Sequence, residues 1–453
     1  MYRNAFVAKK NNKCKVKKRG IGNIGQACTH SDEDFYAKPH LLKSIKNVHM
    51  DVRSLYLLAG LWLVACHQDK TKAQATLPNP ETKTPNSHYK PAFAGQTRAP
   101  GMKSGFKYQV VILDKSLKNP WGMDNLPGGK LLISEKFGTF RIETLSGKNP
   151  VTIAEGVPTV DPKGQGGLLD VAVDPNYTTN RRIFWAFSEP QKTGGALLAI
   201  ARGNISKDET AIENTKIIYR ATPAHTGKLQ YGARIVFDKK GNLFVSTGER
   251  SDKEVRGLAQ SLQASTGKIL HLTPNGQAVP NGPFAKTPNT RPEIYAYGFR
   301  NPDGLDWNPV TGELWEAEFG PRGGDEVNIV RPGKNYGWPV ITYGIEYSGE
   351  KVGDGIQQKE GMEQPVYYFD PVVSPGSMTF YTGNKIREWK NNLFLSGLSG
   401  SCLVRLSVEN NKVVGEERLM SGMGERFRRI RTGSDGNLYV VTDSGKLLRV
   451  EKQ

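Results

Sequence analysis

The sequence predicts an all-β fold, specifically a six-bladed β-propeller with four-stranded antiparallel blades. Fifty Gly and 27 Pro among 453 residues, with 37% hydrophobic residues, indicate many turns and short strands rather than long helices. From about residue 107 onward, a turn rich in Asp, Asn, Pro or Gly repeatedly precedes an alternating apolar strand. Six copies, separated by roughly 45 to 80 residues, are typical of a propeller with one blade per copy.

The six copies occupy residues 126–134, 174–187, 238–246, 308–315, 390–396 and 434–441. Their uneven spacing predicts long loops, which is where propellers usually carry function. Because loops from all blades converge at one end of the central channel, residues distant in sequence can meet around one ligand. A β-sandwich or barrel with unrelated hairpins is the alternative.

The N-terminal part of the chain predicts export. Residues 1–49 are basic and lack hydrophobic periodicity; we interpret them as a non-native extension, with a disordered tail or a nucleic-acid arm as alternatives. Residues 50–66 are predicted to be a lipoprotein signal peptide, whose apolar stretch is too short to span a bilayer. It ends in a lipobox-like Leu-Val-Ala-Cys, which predicts lipidation at Cys66. We therefore expect an exported bacterial lipoprotein, periplasmic or anchored to the outer membrane.

Composition sets the remaining domain boundaries. Residues 67–105 are rich in Pro, Thr, Lys and Asn and are predicted to be a flexible tether, which leaves residues 106–453 for the propeller. Of the net charge of +18, residues 1–66 carry +8 (12 Lys/Arg against 4 Asp/Glu), and the remaining +10 favours anionic ligands or surfaces. No run of Lys and Arg interleaved with aromatics accompanies it in the body of the chain, so nucleic acid is not expected as a partner. The membrane is expected as a partner through the lipid anchor only.

Six motifs lie in order along the body of the chain, at residues 119–122, 164–170, 297–302, 320–326, 335–339 and 426–428. Together they resemble the soluble pyrroloquinoline quinone (PQQ)-dependent aldose sugar dehydrogenases of the glucose/sorbosone dehydrogenase family, from about residue 119 to residue 450. The resemblance implies a quinoprotein oxidoreductase with PQQ and Ca²⁺ as cofactors. It also implies a sugar or related alcohol substrate, oxidised at C1 with hydride transfer to PQQ, and an external electron acceptor.

Three arginines suit a planar tricarboxylate such as PQQ, because a guanidinium can donate to a carboxylate through two N–H groups. Arg300, Arg426 and Arg428 are the predicted cofactor-binding arginines. Strand alternation places the guanidiniums of residues 426 and 428 on one face, although an ordinary surface strand would show the same pattern. The resemblance adds Asn301 and Gln165 as cofactor contacts, and Gln165 with Tyr347 as substrate contacts.

Calcium is the second expected component, since it is a hard cation that prefers oxygen ligands. The resemblance implies that the carbonyls of Gly320 and Pro321 hold one cation. It implies a further calcium site at Glu326 and the carbonyl of Tyr336. Without that resemblance, the acidic pair at residues 325–326 would be interpreted as a solvated turn.

The resemblance places the catalytic positions at Gln230 and Arg300. The sequence departs from the family pattern at Gln230. The family's general base is a His, and Gln230 stands in its place; an amide has no usable pKa near neutrality. Ser399 replaces a Lys that contacts the cofactor, and Phe319 replaces a His. His225, five residues before Gln230, is a candidate replacement base, and a hydroxide or a carboxylate is another.

Two other functions remain open from the sequence. The first is a catalytically impaired propeller that binds a carbohydrate or another ligand without redox chemistry, which the replaced base and Lys favour. The second is a propeller hydrolase or lactonase with a catalytic calcium, which would need several carboxylates facing the channel. His271 lies in a strand-like run and is expected to be structural.

Overall fold

The computed structural model describes residues 77–453, which contain six four-stranded antiparallel sheets. The predicted extension at 1–49, the signal peptide and the lipidation site Cys66 lie outside the described residues. Within residues 77–453, no helix has the length and apolar character needed to cross a membrane.

The strands are β1 (Tyr108–Asp114), β2 (Pro120–Leu126), β3 (Lys130–Glu135), β4 (Thr139–Thr144), β5 (Val151–Ile153), β6 (Leu168–Val173), β7 (Arg182–Pro190), β8 (Ala196–Ile205), β9 (Ile212–Arg220), β10 (Gly232–Phe237), β11 (Leu243–Thr247), β12 (Lys268–Leu272), β13 (Ile294–Tyr297), β14 (Pro302–Trp307), β15 (Leu314–Glu318), β16 (Asp325–Val330), β17 (Tyr367–Phe369), β18 (Pro375–Phe380), β19 (Leu393–Gly397), β20 (Leu403–Glu409), β21 (Lys412–Leu419), β22 (Phe427–Thr432), β23 (Leu438–Thr442) and β24 (Leu447–Lys452). The described residues add one short α-helix, α1 (Tyr177–Asn180), and 3₁₀ turns at Arg256–Gln260 and Arg387–Trp389.

The sheets form a closed ring of blades, which confirms the six-bladed propeller. Five blades are built from consecutive strands, beginning with β2, β6, β10, β14 and β18. The sixth blade has the order β1-β24-β23-β22, so the first strand pairs with the last, from Tyr108 opposite Lys452 onward. The inner strands β2, β6, β10, β14, β18 and β22 each contact the next inner strand around the whole ring. This closure leaves no blade without a neighbour.

The six repeated turns predicted from the sequence each join the first and second strands of one blade. Their local chemistry is visible at Asp238, whose carboxylate accepts the backbone N–H groups of Lys240 (2.7 Å) and Asn242 (2.9 Å). Such Asp-centred turns provide hydrogen-bond acceptors for the backbone N–H groups of the turn and lead directly into the next strand.

The apolar core lies between adjacent blades. Trp185 on β7 is fully buried and meets Phe140 on β4 edge to face, with ring centroids 5.7 Å apart. A second cluster joins Phe184 and Ile200 to Leu243 and Leu270 of the next blade. Side chains from facing sheets thus fix the angle between blades and hold the inner strands around the axis.

Residues 77–105 differ from the predicted flexible tether, because they pack on the propeller. Ser87 donates to Asp370 through both its backbone N–H (3.0 Å) and its hydroxyl (2.9 Å). Gln96 is fully buried and donates to the carbonyl of Pro365 (2.9 Å), and Ala99 belongs to an inter-blade cluster. Specific partners for buried polar groups hold this segment in place, so the packed domain begins well before residue 106.

Candidate functional site

A cavity of about 400 Å³ lies where the six inner strands begin. Every inner strand contributes a residue at or just before its first position, which places the cavity on the propeller axis. It is lined by Asn119, Pro120, Trp121, Lys136, Gly164, Gln165, Gly166, Leu169, Tyr231, Gly232, Asn301, Asp303, Phe319, Tyr347, Ser374, Leu398, Arg426, Arg428 and Asp443. The predicted residues Gln165, Asn301, Tyr347, Arg426 and Arg428 therefore meet at one place.

One wall of the cavity, the cation wall, consists of Arg426, Arg428 and Asp443. Both guanidiniums contact the same carboxylate: Arg426 Nε donates to Asp443 Oδ2 (2.9 Å) and Arg428 Nε to Oδ1 (2.9 Å). The predicted common face is thus confirmed. Burial alone would raise the pKa of Asp443, but the two arginines outweigh it and hold that pKa below its ordinary value.

Lys136 adds a third cation that the sequence analysis missed. It directly follows β3, and its Nζ donates to the carbonyl of Gly164 (2.7 Å). Burial, together with nearby Arg428, lowers the pKa of Lys136. The second strand of a blade ends at the side of the propeller where the first strand begins. A charged residue directly after a second strand was therefore the signal from which Lys136 could have been predicted.

The opposite wall, the amide wall, consists of Gln165, Gly232, Asn301 and Asp303, and Gln230 lies next to it. Gln165 Oε1 accepts the backbone N–H of Gln230 (2.7 Å), and Asn301 Oδ1 accepts that of Gly232 (3.0 Å). Gln230 has a left-handed backbone (φ 51°) and a buried Oε1 without a hydrogen-bond partner among residues 77–453. Its side chain does not line the cavity, although its neighbour in sequence Tyr231 does.

Asp303, on the amide wall, was not predicted. It is 5% exposed, and burial raises the pKa of its carboxyl to about 7, a rise that the nearby Arg234 and Arg428 limit. Its Oδ1 accepts from the Asn301 amide (3.3 Å). Sequence alone gave no signal, because a raised pKa depends on burial that only the fold creates.

Arg300 does not line this cavity, which corrects the prediction that it faces the cofactor. Its Nη1 donates to the carbonyls of Phe319 (3.0 Å) and Gly320 (2.7 Å), and its guanidinium lies 5.2 Å from the Trp338 ring. These partners turn the side chain toward two neighbouring cavities. Glu249 borders the larger one, and burial raises its pKa to about 7.

The predicted metal residues lie around a small cavity of about 10 Å³ beside Arg300. Its lining includes Gly320, Glu326 and Tyr336 together with Glu318, and it is rich in oxygen. Burial and Glu318 raise the pKa of Glu326 well above its ordinary value. Pro321 borders the adjacent cavity instead. No group of three or more His, Cys, Asp or Glu arranged as a metal site occurs within residues 77–453.

Two further predicted residues lie at the edge of the axial cavity. Tyr347, 71% exposed, stands at its mouth on the long segment between β16 and β17. Ser399 is exposed and shares a 2.6 Å hydrogen bond with the hydroxyl of Ser374, which lines the cavity.

Neither histidine of the propeller replaces the base in this cavity. His225 does not line it, and its Nε2 lies 2.6 Å from Asp252 Oδ2. His271 stacks on Phe244 with centroids 4.1 Å apart and contacts Asp238 (3.0 Å), in line with the expected structural role. A carboxylate is therefore a better candidate than His225 for the replacement base in this cavity.

Comparison of the sequence with known proteins finds a matching family and similar proteins. A sequence model described as glucose/sorbosone dehydrogenase matches residues 117–449. The aldose sugar dehydrogenase YliI of Escherichia coli K12 is 39% identical over 345 residues, which cover 75% of this chain and 92% of the relative.

Solved structures agree with the sequence comparison. The apo-form of the soluble aldose sugar dehydrogenase from Escherichia coli superimposes with a TM-score of 0.73 at 39% identity, covering 77% of this chain and 100% of that one. The PQQ-bound aldose sugar dehydrogenase from Streptomyces coelicolor gives a TM-score of 0.63 at 28% identity, covering 77% and 99%.

Proposed function

The chain belongs to the glucose/sorbosone dehydrogenase family, and from that premise we propose that it is a PQQ-dependent dehydrogenase that oxidises an aldose, or a related alcohol, at C1. The observation that carries the proposal is the axial cavity of about 400 Å³, which is lined by three cationic side chains and two amides. The PQQ-bound relative from Streptomyces coelicolor supports the choice of cofactor.

The donors in the cavity fit an anionic, planar cofactor. Arg426 uses only Nε on Asp443, and Arg428 uses Nε and Nη2, so other N–H groups of both have no partner among the described residues 77–453. Such free N–H groups suit carboxylates of PQQ, and Lys136 adds a further positive charge. On the amide wall, Gln165 and Asn301 can orient the cofactor through N–H and C=O groups.

When bound, PQQ would supply an acceptor for a hydride, that is, for two electrons and one proton. The chain's own residues then bind, orient and deprotonate the substrate. Tyr347 at the cavity mouth offers an aromatic face against which a sugar ring can pack. Trp121 and Phe319 add apolar surface inside and exclude water from the reacting carbon. Gln230, an amide, takes no part as a base.

Calcium is proposed as the second component. The small cavity at Glu326 and Tyr336 has the oxygen-rich chemistry that a hard cation needs, and its volume is about that of one water-sized sphere. A bound cation would stabilise the ionised form of Glu326, whose pKa is raised. The other predicted ligand set fits less well, because the Gly320 carbonyl already accepts from Arg300 (2.7 Å).

We also propose that the protein is exported and anchored through Cys66, on the lipobox-like sequence at residues 63–66. Labelling of the expressed protein with palmitate, compared with C66S, tests this proposal. Label in the parent and none in C66S is the expected result. Equal labelling of both, or of neither, would contradict a lipid at Cys66.

The enzymatic proposal is tested by titrating apo-protein with PQQ in the presence of Ca²⁺, followed by a dye-linked assay with a panel of aldoses and other alcohols. Saturable PQQ binding and sugar-dependent dye reduction are the expected results. Absence of PQQ binding would overturn the proposal.

The variant Q230H, run in parallel, separates the proposal from the catalytically impaired alternative. Binding with turnover in Q230H only would mean that the native chain is a PQQ-binding propeller that has lost its dehydrogenase chemistry. Turnover by the parent chain means that another group supplies the base.

A further inference from the structure

Asp303 is the ionisable group on the amide wall that is best placed to accept a proton. It lines the cavity at the second residue of β14, directly after Asn301 and Pro302. Gly232 N–H donates to Asn301 Oδ1 (3.0 Å), which fixes the amide so that its Nδ2 points to Asp303 Oδ1 (3.3 Å). Asp303 Oδ2 has no donor within residues 77–453 and is not sealed from solvent.

We propose that Asp303 is the general base of this enzyme, in the role that Gln230 cannot fill. The inference rests on the dehydrogenase function proposed above. The substrate C1 hydroxyl would enter the cavity between the cation wall and Asp303, where Oδ2 is free to accept its proton.

The other ionisable groups of the cavity are poorer bases. Asp443 is bonded to two guanidiniums, and its pKa is held low. Burial and Arg428 lower the pKa of Lys136, but its Nζ is already engaged as the donor to the carbonyl of Gly164 (2.7 Å). Burial raises the pKa of Tyr231, so its hydroxyl stays protonated. Asp303, with a pKa near 7, is both available and basic enough near neutrality.

Charged groups on four other strands enter this balance. Arg234 of β10 and Arg428 of β22 favour its ionised form, whereas Asp170 of β6 favours the protonated form. Glu316 of β15 is a further buried carboxyl close enough to interact with it. Burial outweighs the two arginines, and the result is a carboxyl that titrates in the working range of an enzyme.

The proposed step balances as follows for an aldose. The O–H bond at C1 breaks and its proton passes to the Asp303 carboxylate. The C1–H bond breaks, and the hydrogen leaves with its electron pair to the oxidised cofactor. A C=O bond forms at C1, so the sugar becomes a lactone and is oxidised by two electrons while the cofactor is reduced by two. Asp303 then releases the proton through the cavity.

The test compares the parent protein with D303N and D303E, each loaded with PQQ and Ca²⁺ and assayed with glucose and the other aldoses. E143Q is the matched control, because Glu143 is also buried with a raised pKa but lies on β4 away from the cavity. We expect kcat/KM of D303N to fall by about 10²- to 10⁴-fold, the usual contribution of a general base. D303E should recover part of the loss, and E143Q should match the parent.

The pH profile is the readout that a purely structural role would not move. In the parent, kcat/KM should rise as pH increases through about 7 and then level off. That limb should be absent in D303N and shifted in D303E. PQQ titration of D303N should stay close to the parent, and D303N should melt cooperatively at a temperature no lower than that of the parent, which excludes loss of the cofactor and misfolding as causes.

A measurement on apo-protein adds a readout independent of turnover. Infrared difference spectra between acidic and alkaline pH should contain the loss of one protonated carboxyl near neutrality that D303N lacks. Parent activity retained within about 10-fold by D303N, or the same carboxyl signal in both proteins, would overturn the inference. Failure of the parent to bind PQQ would instead overturn the proposed function, and the inference with it.

Discussion

The two walls of the axial cavity shift the pKa of a carboxyl group in opposite directions. On the cation wall, Asp443 is half-buried and lies against Arg426 and Arg428, and its pKa is lowered. On the amide wall, Asp303 has only an amide as direct donor, and its pKa rises to about 7. A carboxylate paired with arginines suits binding, whereas one left almost unpaired suits proton transfer. Under the proposed function, this difference gives the cation wall the charges that hold the anionic cofactor and gives the amide wall the proton acceptor.

The contrast predicts opposite effects of the two carboxylates on stability. The folded-state pKa of Asp303 lies above its unfolded value of 3.8, so the folded protein holds more protons and stability falls as pH rises between these values. Between about pH 5 and about pH 8, the titration of Asp303 should lower the unfolding free energy by roughly 3 kcal/mol. Urea denaturation of apo-protein should show this pH dependence reduced in D303N.

The matched control for that measurement is D443N. Because the folded-state pKa of Asp443 is lowered, its contribution is present above the unfolded value of 3.8 and is lost only at more acidic pH. D443N should therefore leave the pH dependence between about pH 5 and about pH 8 unchanged. Parallel pH dependences in the parent and D303N would contradict the assigned pKa of Asp303.

A change on the cation wall should affect cofactor binding and leave the chemistry intact. R428Q removes a charge-assisted donor and leaves Asp443 less neutralised, so PQQ affinity should fall by roughly 10- to 100-fold. R426Q should cost less, because the Arg426 side chain is 52% exposed and that of Arg428 only 19%. Fluorescence titration with PQQ measures both.

The pH profile separates the walls further. The limb should persist in R428Q when PQQ is saturating, because Asp303 still accepts the proton. It should move to higher pH, because the positive charge of Arg428 favours the ionised form of Asp303. Disappearance of that limb in R428Q would mean that the walls do not act separately. An unchanged PQQ affinity would remove Arg428 from the binding site.

The smallest expected effect is a gain of affinity at Ser399. S399K would place a cation beside Ser374 at the edge of the cavity and should tighten PQQ binding by about 10-fold. S399M is the control, since it adds similar length without charge and should leave affinity unchanged. Equal effects of Lys and Met would show that packing, not charge, acts at this position.

The repeated turns show what the sequence could predict. The Asp238 turn and its five counterparts are local structures, so six short patterns were enough to locate six blades and their first hairpins. The shared face of Arg426 and Arg428 could be predicted for the same reason, since alternation along a strand is local, whereas their role as cofactor ligands stays a prediction.

The amide wall shows where such prediction ends. Arg300 was expected at the cofactor, but the carbonyls of Phe319 and Gly320 turn its side chain away. Asp303 and Lys136 were missed because their importance depends on burial and on which strand ends converge. Residues 77–105 were expected to be flexible because of their composition. Their buried partners, such as Asp370, lie hundreds of residues away in sequence, so nothing local indicates that the segment packs.

The division between a binding wall and a chemical wall is tested most directly by one anaerobic measurement. Apo-protein is loaded with PQQ and Ca²⁺, mixed with excess aldose and followed by absorption without any dye. The account predicts that bound PQQ is reduced in a single turnover, with a rate that rises as pH increases through about 7. Bound PQQ that stays oxidised at every pH would contradict it.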